Sequence, residues 1–96
     1  MVQKGALKLD IISGQAYCGN ENLRLTKKEF ALLLHFVQNE RKTISAERLY
    51  EKVWKQPLAG NKNALQAAVS KLRTKIESYG YEILTERKQG YTLTKI

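Results

Sequence analysis

Thr26-Lys27-Lys28-Glu29 marks a point at which this chain is committed to starting a helix. The Thr26 hydroxyl can accept the Glu29 amide while the Glu29 carboxylate returns to the Thr26 amide, so four consecutive residues satisfy two donors that a first turn leaves orphaned. Phe30, Leu33, Leu34 and Val37 follow at i, i+3, i+4 and i+7 as one apolar stripe, and Asn39-Glu40-Arg41-Lys42 ends it. A helix is therefore expected over about residues 27–39.

The rest of the chain reads outward from that helix. Thr43-Ile44 forms a short strand, and Ser45 caps a second helix at about 46–54. Its stripe is Ala46, Leu49, Tyr50 and Val53, with Trp54 close by, and Gln56-Pro57-Leu58-Ala59-Gly60 breaks it. A third helix is expected at about 62–78, capped by Asn61 or Gly60 and ended at Gly80, where a missing Cβ suits left-handed backbone. Before the first helix, residues 7–12, 15–18 and 22–25 read as strands separated by Ser13-Gly14 and Gly19-Asn20, giving a small antiparallel sheet over about 5–25. After the third helix, residues 81–86 and 91–96 read as strands joined by Arg87-Lys88-Gln89-Gly90, a hairpin over about 82–95 with two cations at its tip. The whole is an α+β chain forming a single domain over 1–96.

Size and composition allow this. At 96 residues and 43% hydrophobic, the chain can bury one core without disulfides or a structural metal. Cys18 is the sole cysteine, so no bridge can form within the chain, and a lone thiol fits a reducing cytoplasm. No segment approaches the ~20 apolar residues of a membrane span, and the first residues lack the apolar run of a signal peptide. Against 9 acidic residues stand 17 basic ones, a net charge of +8 that attracts polyanions.

The third helix carries the functional signal. Its residues Lys62, Lys71, Arg73 and Lys75 are accompanied by no acid between 62 and 76. At ~100° per residue, Leu65, Ala68, Val69, Leu72 and Ile76 gather within roughly 100° of arc and form the core side. The opposite side presents Asn63, Gln66, Ala67, Ser70, Lys71 and Thr74, with Arg73 and Lys75 on the two flanks. Small and amide-bearing residues let a helix approach base edges closely, while flanking cations can reach phosphates on either side of a major groove. The plainer account of such charge is a solvated helix face. The hairpin tip likewise reads either as a charged turn that keeps a strand edge soluble or as a wing whose Arg enters a minor groove.

Here the residues carry a family resemblance. Residues 25–33, Leu-Thr-Lys-Lys-Glu-Phe-Ala-Leu-Leu, resemble the LTxxEFxLL signature of OmpR/PhoB-type winged-helix effector domains. Residues 49–54 resemble that family's LxxxVW, residues 69–76 its IsrLRkKL, and residues 83–91 its IxTvrGxGY. Four motifs in the right order span nearly the whole chain. The resemblance implies a winged helix-turn-helix fold: a four-stranded N-terminal sheet, three helices and a C-terminal hairpin wing. It implies that the third helix enters the major groove, with Ala67 and Lys71 touching bases and Asn63, Ser70 and Arg73 facing the DNA backbone. Arg87, beside Lys88, would reach the minor groove, and the loop from Lys55 to Gly60 would touch RNA polymerase. Departures are Gln66 where the family usually has Asp, Ala68 where it often has His, and Asn63 where it has Arg. Lys88 and Lys55 stand where Gly is common, so the loop geometries are expected to differ.

The expected function is sequence-specific binding of double-stranded DNA, on repeated half-sites, as the cytoplasmic output domain of a bacterial two-component response regulator. A receiver domain is expected elsewhere in the full-length protein, making this chain a fragment or Met1 an expression start. The competing reading is a winged-helix interaction module whose basic face meets an acidic protein. No catalytic, metal or cofactor role is expected: His35 and Cys18 lack neighbours at ligand spacing, Glu29 is a cap, and no phosphate loop or nucleophile elbow is present. Tyr79, Tyr81 and Tyr91 are expected to complete the core rather than stack on bases.

Overall fold

A computed structural model describes residues 2–95. Its elements run β1 (Val2–Lys4), β2 (Leu7–Asp10), β3 (Gln15–Cys18), β4 (Glu21–Asn22), α1 (Lys27–Gln38), α2 (Ala46–Trp54), α3 (Lys62–Glu77), β5 (Tyr81–Glu86) and β6 (Gly90–Lys95). The first four strands make one antiparallel sheet in sequential order, and β5 pairs with β6 as a separate hairpin. This is the α+β winged helix-turn-helix expected from the sequence.

The N-terminal sheet differs in detail from the sequence reading. Val2–Lys4 adds a strand, its register set by Val2 opposite Leu9 and Lys4 opposite Leu7. β2 stops at Asp10 because the Asp10 carboxylate accepts the amides of Ile12 (3.1 Å) and Ser13 (3.4 Å) and bends the chain into a turn. Of residues 22–25 only Asn22 lies in a strand, β4. Asn22 Oδ1 accepts the Arg24 amide (2.8 Å), and Arg24 takes a left-handed φ of 55°, which no strand admits. Pairing therefore ends at Asn22 opposite Tyr17.

The capping box at α1 forms as read: Thr26 Oγ1 accepts the Glu29 amide (3.2 Å) and Glu29 Oε1 accepts the Thr26 amide (2.9 Å). Leu32 and Phe36 are fully buried beside Phe30, Leu33 and Val37, so the buried face is wider than one stripe. α1 has this double coverage because it packs against both α2 and α3. In α2, Ser45 Oγ accepts the Arg48 amide (3.1 Å), Leu49, Tyr50 and Val53 are buried, and Trp54 stacks on Tyr50 at 4.6 Å. Tyr81 and Tyr91 are buried, and Tyr79 packs against the same core.

The two loop departures share one geometry. Lys55, at the end of α2, has φ 62° and Lys88, in the hairpin turn, has φ 67°. Both are left-handed positions where a Cβ is strained, a conformation that favours glycine.

Candidate nucleic-acid interface

α3 divides cleanly. Leu65, Val69, Leu72 and Ile76 are buried, while Asn63, Gln66, Ala67, Ser70, Lys71 and Thr74 are exposed along the other side. Asn61 precedes the helix, but its side chain donates to Tyr50 Oη (2.8 Å) instead of capping it. The first-turn amides of α3 are thus left without a side-chain acceptor from Asn61. Thr74 Oγ1 donates back to the Ser70 carbonyl (3.1 Å), so that hydroxyl proton is used within the helix.

The flanking cations do not stand free. Lys75 Nζ makes a 2.6 Å ion pair with Glu29, whose side chain is only 3% exposed, and donates to the Arg24 carbonyl at 2.9 Å. Burial pushes the Glu29 carboxyl up, but hydrogen bonds from Lys75 and the Thr26 amide outweigh it and hold the group below its ordinary range. Arg73 bends the other way, its Nε donating to the Ile83 carbonyl and its Nη2 to Thr85 Oγ1, both at 3.1 Å. A helical wheel locates such cations on a flank, but what they bond there is a tertiary fact.

The hairpin is fixed against the body through Ile44. Its amide and carbonyl bond both main-chain groups of Tyr91, at 2.8 and 2.9 Å. The short strand read at Thr43-Ile44 is this isolated bridge. Gly90 is obligatory at this crossing, because a Cβ there would lie 1.9 Å from the Ile44 carbonyl oxygen. The turn closes with the Gln89 amide on the Glu86 carbonyl (2.9 Å), leaving Arg87 and Lys88 exposed at the tip.

Between the wing tip, the start of α2 and the first turns of α3 lies an open cleft of about 440 Å³, lined in part by Ser45, Glu47, Lys62, Gln66, Arg87 and Lys88. Of the candidate residues, Gln66, Arg87 and Lys88 meet there. Asn63, Ala67, Ser70, Lys71 and Thr74 continue along α3 outside it, and Arg73 is turned into β5. Lys62 and Ser45 were legible as a charge and a cap, but nothing in the sequence brought them to the wing. Glu47 and Glu86 also border the cleft, so its electrostatics are mixed whereas the exposed α3 face carries Lys71 without an acid.

Elsewhere, chemistry is sparse among the described residues. No group of three or more His, Cys, Asp or Glu could hold a metal ion, and no helix is long and apolar enough to cross a membrane. Cys18 is buried, and desolvation pushes its thiol up, away from nucleophilic reactivity. His35 is half-buried; desolvation, then the charges of Lys52, Arg48 and Lys55, hold it below its ordinary value.

Comparison with known proteins agrees with this geometry. A family model described as "Transcriptional regulatory protein, C terminal" matches residues 19–93. Response regulator MprA of Mycobacterium sp. (strain KMS) is 35% identical over 89 residues, covering 91% of this chain and 39% of that protein. The chain thus spans well under half the length of the curated relative it matches. The DNA-binding domain of CpxR from E. coli superposes with a TM-score of 0.85 at 27% identity, covering 98% of this chain and 95% of that one. The Klebsiella pneumoniae RstA DNA-binding domain, solved in complex with the RstA box, gives 0.83 at 24% identity, covering 97% and 95%, a likeness of fold.

Proposed function

The chain belongs to the transcriptional regulatory protein C-terminal family, the OmpR/PhoB-type winged-helix effector domains, and on that premise we propose that it binds double-stranded DNA sequence-specifically as the output module of a bacterial response regulator. The observation that carries this is an acid-free exposed α3 face, Asn63 to Thr74, set across a cleft from a hairpin tip bearing Arg87 and Lys88.

The physical fit is specific. A helix with Ala67 and Ser70 at the centre of its outer face can approach base edges, and Lys71 then donates to guanine O6 or N7. A helix in the major groove and a hairpin at the adjacent minor groove must straddle one phosphate strand, and the cleft supplies that passage. Lys62, Arg87 and Lys88 border it, as do the first residues of α2, whose amides carry the positive end of a helix dipole. Asn63 and Ser70 serve as backbone contacts, Gln66 and Thr74 as polar contacts along the groove, and Arg87 as the minor-groove anchor.

The full-length protein, in this reading, adds a receiver domain, acts in the cytoplasm without enzymatic activity of this domain, and places two copies on repeated half-sites. The loop from Lys55 to Gly60, anchored by buried Leu58, faces RNA polymerase.

Selection of bound sites from a random duplex library tests the proposal, followed by titration of the winner against a scrambled duplex at two salt concentrations. Neutralising ~4 to 6 phosphates gives a slope of log affinity on log salt of about −3.5 to −5.5. Lys71→Ala should relax base preference by ~1 to 3 kcal/mol. Uniform binding without enrichment refutes sequence reading, and capture of an acidic protein with no duplex preference returns the interaction-module alternative.

A further inference from the structure

The wing is a two-stranded ribbon and so has two edges to secure. On the β6 edge, Tyr91 turns both main-chain groups away from β5 to Ile44, and the Leu93 carbonyl accepts the Arg41 amide (3.1 Å). The β5 partners of these residues are Thr85 and Ile83. Antiparallel pairs alternate in the direction of their main-chain groups, so Thr85 and Ile83 face outward along the opposite edge, which no strand covers among the described residues. Arg73 covers it. One guanidinium reaches the Ile83 carbonyl with Nε and Thr85 Oγ1 with Nη2. The ribbon is therefore gripped from both sides just before the turn that carries Arg87 and Lys88.

We propose that Arg73 is a positioning residue that ties α3 to the wing, fixing the spacing between the Lys71 face and the Arg87 tip, and is not a phosphate contact. This rests on the DNA-binding reading above. A planar fork with several fixed donors can hold two acceptors at once, which the single ammonium of Lys cannot do with the same geometry. Those two donors form one edge of the guanidinium, which is thereby oriented toward β5. α3 is then held on both flanks, by Arg73 to β5 and by Lys75 to Glu29 and Arg24.

The test compares Arg73→Lys, which keeps the charge and loses the fork, with Thr85→Val, which removes an acceptor and leaves charge unaltered. Both are titrated with the selected duplex across a salt series, singly, together, and in an Arg87→Ala background. A tie predicts that each single change weakens binding about tenfold, the order of one charge-assisted hydrogen bond. The pair should be non-additive, the salt slope unchanged, and both changes silent once Arg87 is gone. A phosphate contact predicts instead that Thr85→Val is silent and that Arg73→Ala, titrated in the same series, makes the slope shallower by about 0.9, which overturns the tie. If the unaltered protein binds no duplex, the DNA reading fails, and amide exchange over Glu86 to Gln89 decides the tie alone. Faster exchange in Arg73→Lys and Thr85→Val upholds it, and unchanged exchange refutes it. Should Arg73→Lys fail to fold, Thr85→Val at an exposed threonine carries the same reading.

Discussion

Gly90→Ala should be the most damaging single-methyl change in this domain. The added Cβ would sit 1.9 Å from the Ile44 carbonyl oxygen, 2.6 Å from its carbon and 2.8 Å from Ser45 Cα, all main-chain atoms that no rotamer change can move aside. Relief requires separating the hairpin from Ile44, which breaks the 2.8 and 2.9 Å bonds to Tyr91. Each such bond contributes about 0.5–1.5 kcal/mol net. Gly90 also has φ 135°, and a side chain there adds strain of about 1–3 kcal/mol. Together these give a destabilisation of about 2–6 kcal/mol, a large share of the roughly 5–15 kcal/mol expected for a whole domain. Urea unfolding by circular dichroism measures it, with Gly14→Ala as control. Gly14 has a φ of 71° but nothing within 4 Å of its would-be Cβ, so it isolates backbone strain of about 1–2 kcal/mol. Equal midpoint shifts for the two variants would show that the Ile44 crossing is not the constraint described.

Three further outcomes can be checked independently. Lys88→Gly should raise thermal stability by about 0.5–1 kcal/mol, by relieving φ 67°, while weakening DNA binding through loss of a wing cation; a lower melting point would contradict the left-handed assignment. Glu29→Gln keeps a carbonyl for the Thr26 amide but ends the ion pair with Lys75, lowering stability at neutral pH by about 1–2 kcal/mol. Because the folded-state pKa of Glu29 lies below its ordinary 4.5, that contribution is full above 4.5 and fades as pH falls through the folded value, so the two proteins should converge in acid. His35 is held below 6.5, so the unfolded chain takes up protons first and stability should decline as pH drops from 6.5 toward the folded value. His35→Gln should flatten that part of a pH series of urea midpoints, and an unchanged slope would assign it to another group.

The sequence was most legible where local chemistry decides the outcome. Thr26 and Glu29 reveal α1 because both partners of the box lie three residues apart, and the division of α3 follows from period alone. β1 escaped notice because Val2–Lys4 offers three residues, one of them apolar, and owes its strand state to β2. The helical period places Arg73 and Lys75 on the flanks of α3 but does not show what they bond, because their acceptors lie far along the chain, at Ile83, Thr85, Arg24 and Glu29. A lysine's charge is visible in a sequence; its partner is a property of the fold. The same holds for the cleft, whose walls come from α2, α3 and the wing.

The separation of α3 into a bonded side and an open side also bears on how such a domain diversifies. Leu65, Val69, Leu72 and Ile76 fill the core and Arg73 and Lys75 hold the flanks, so the helix keeps its place without help from Asn63, Gln66, Ala67, Ser70, Lys71 or Thr74. Exposed substitutions of that kind shift stability by only about 0.5 kcal/mol either way. Lineages descending from one ancestral scaffold can therefore sample new side-chain combinations on that surface while folding imposes almost no selection against them.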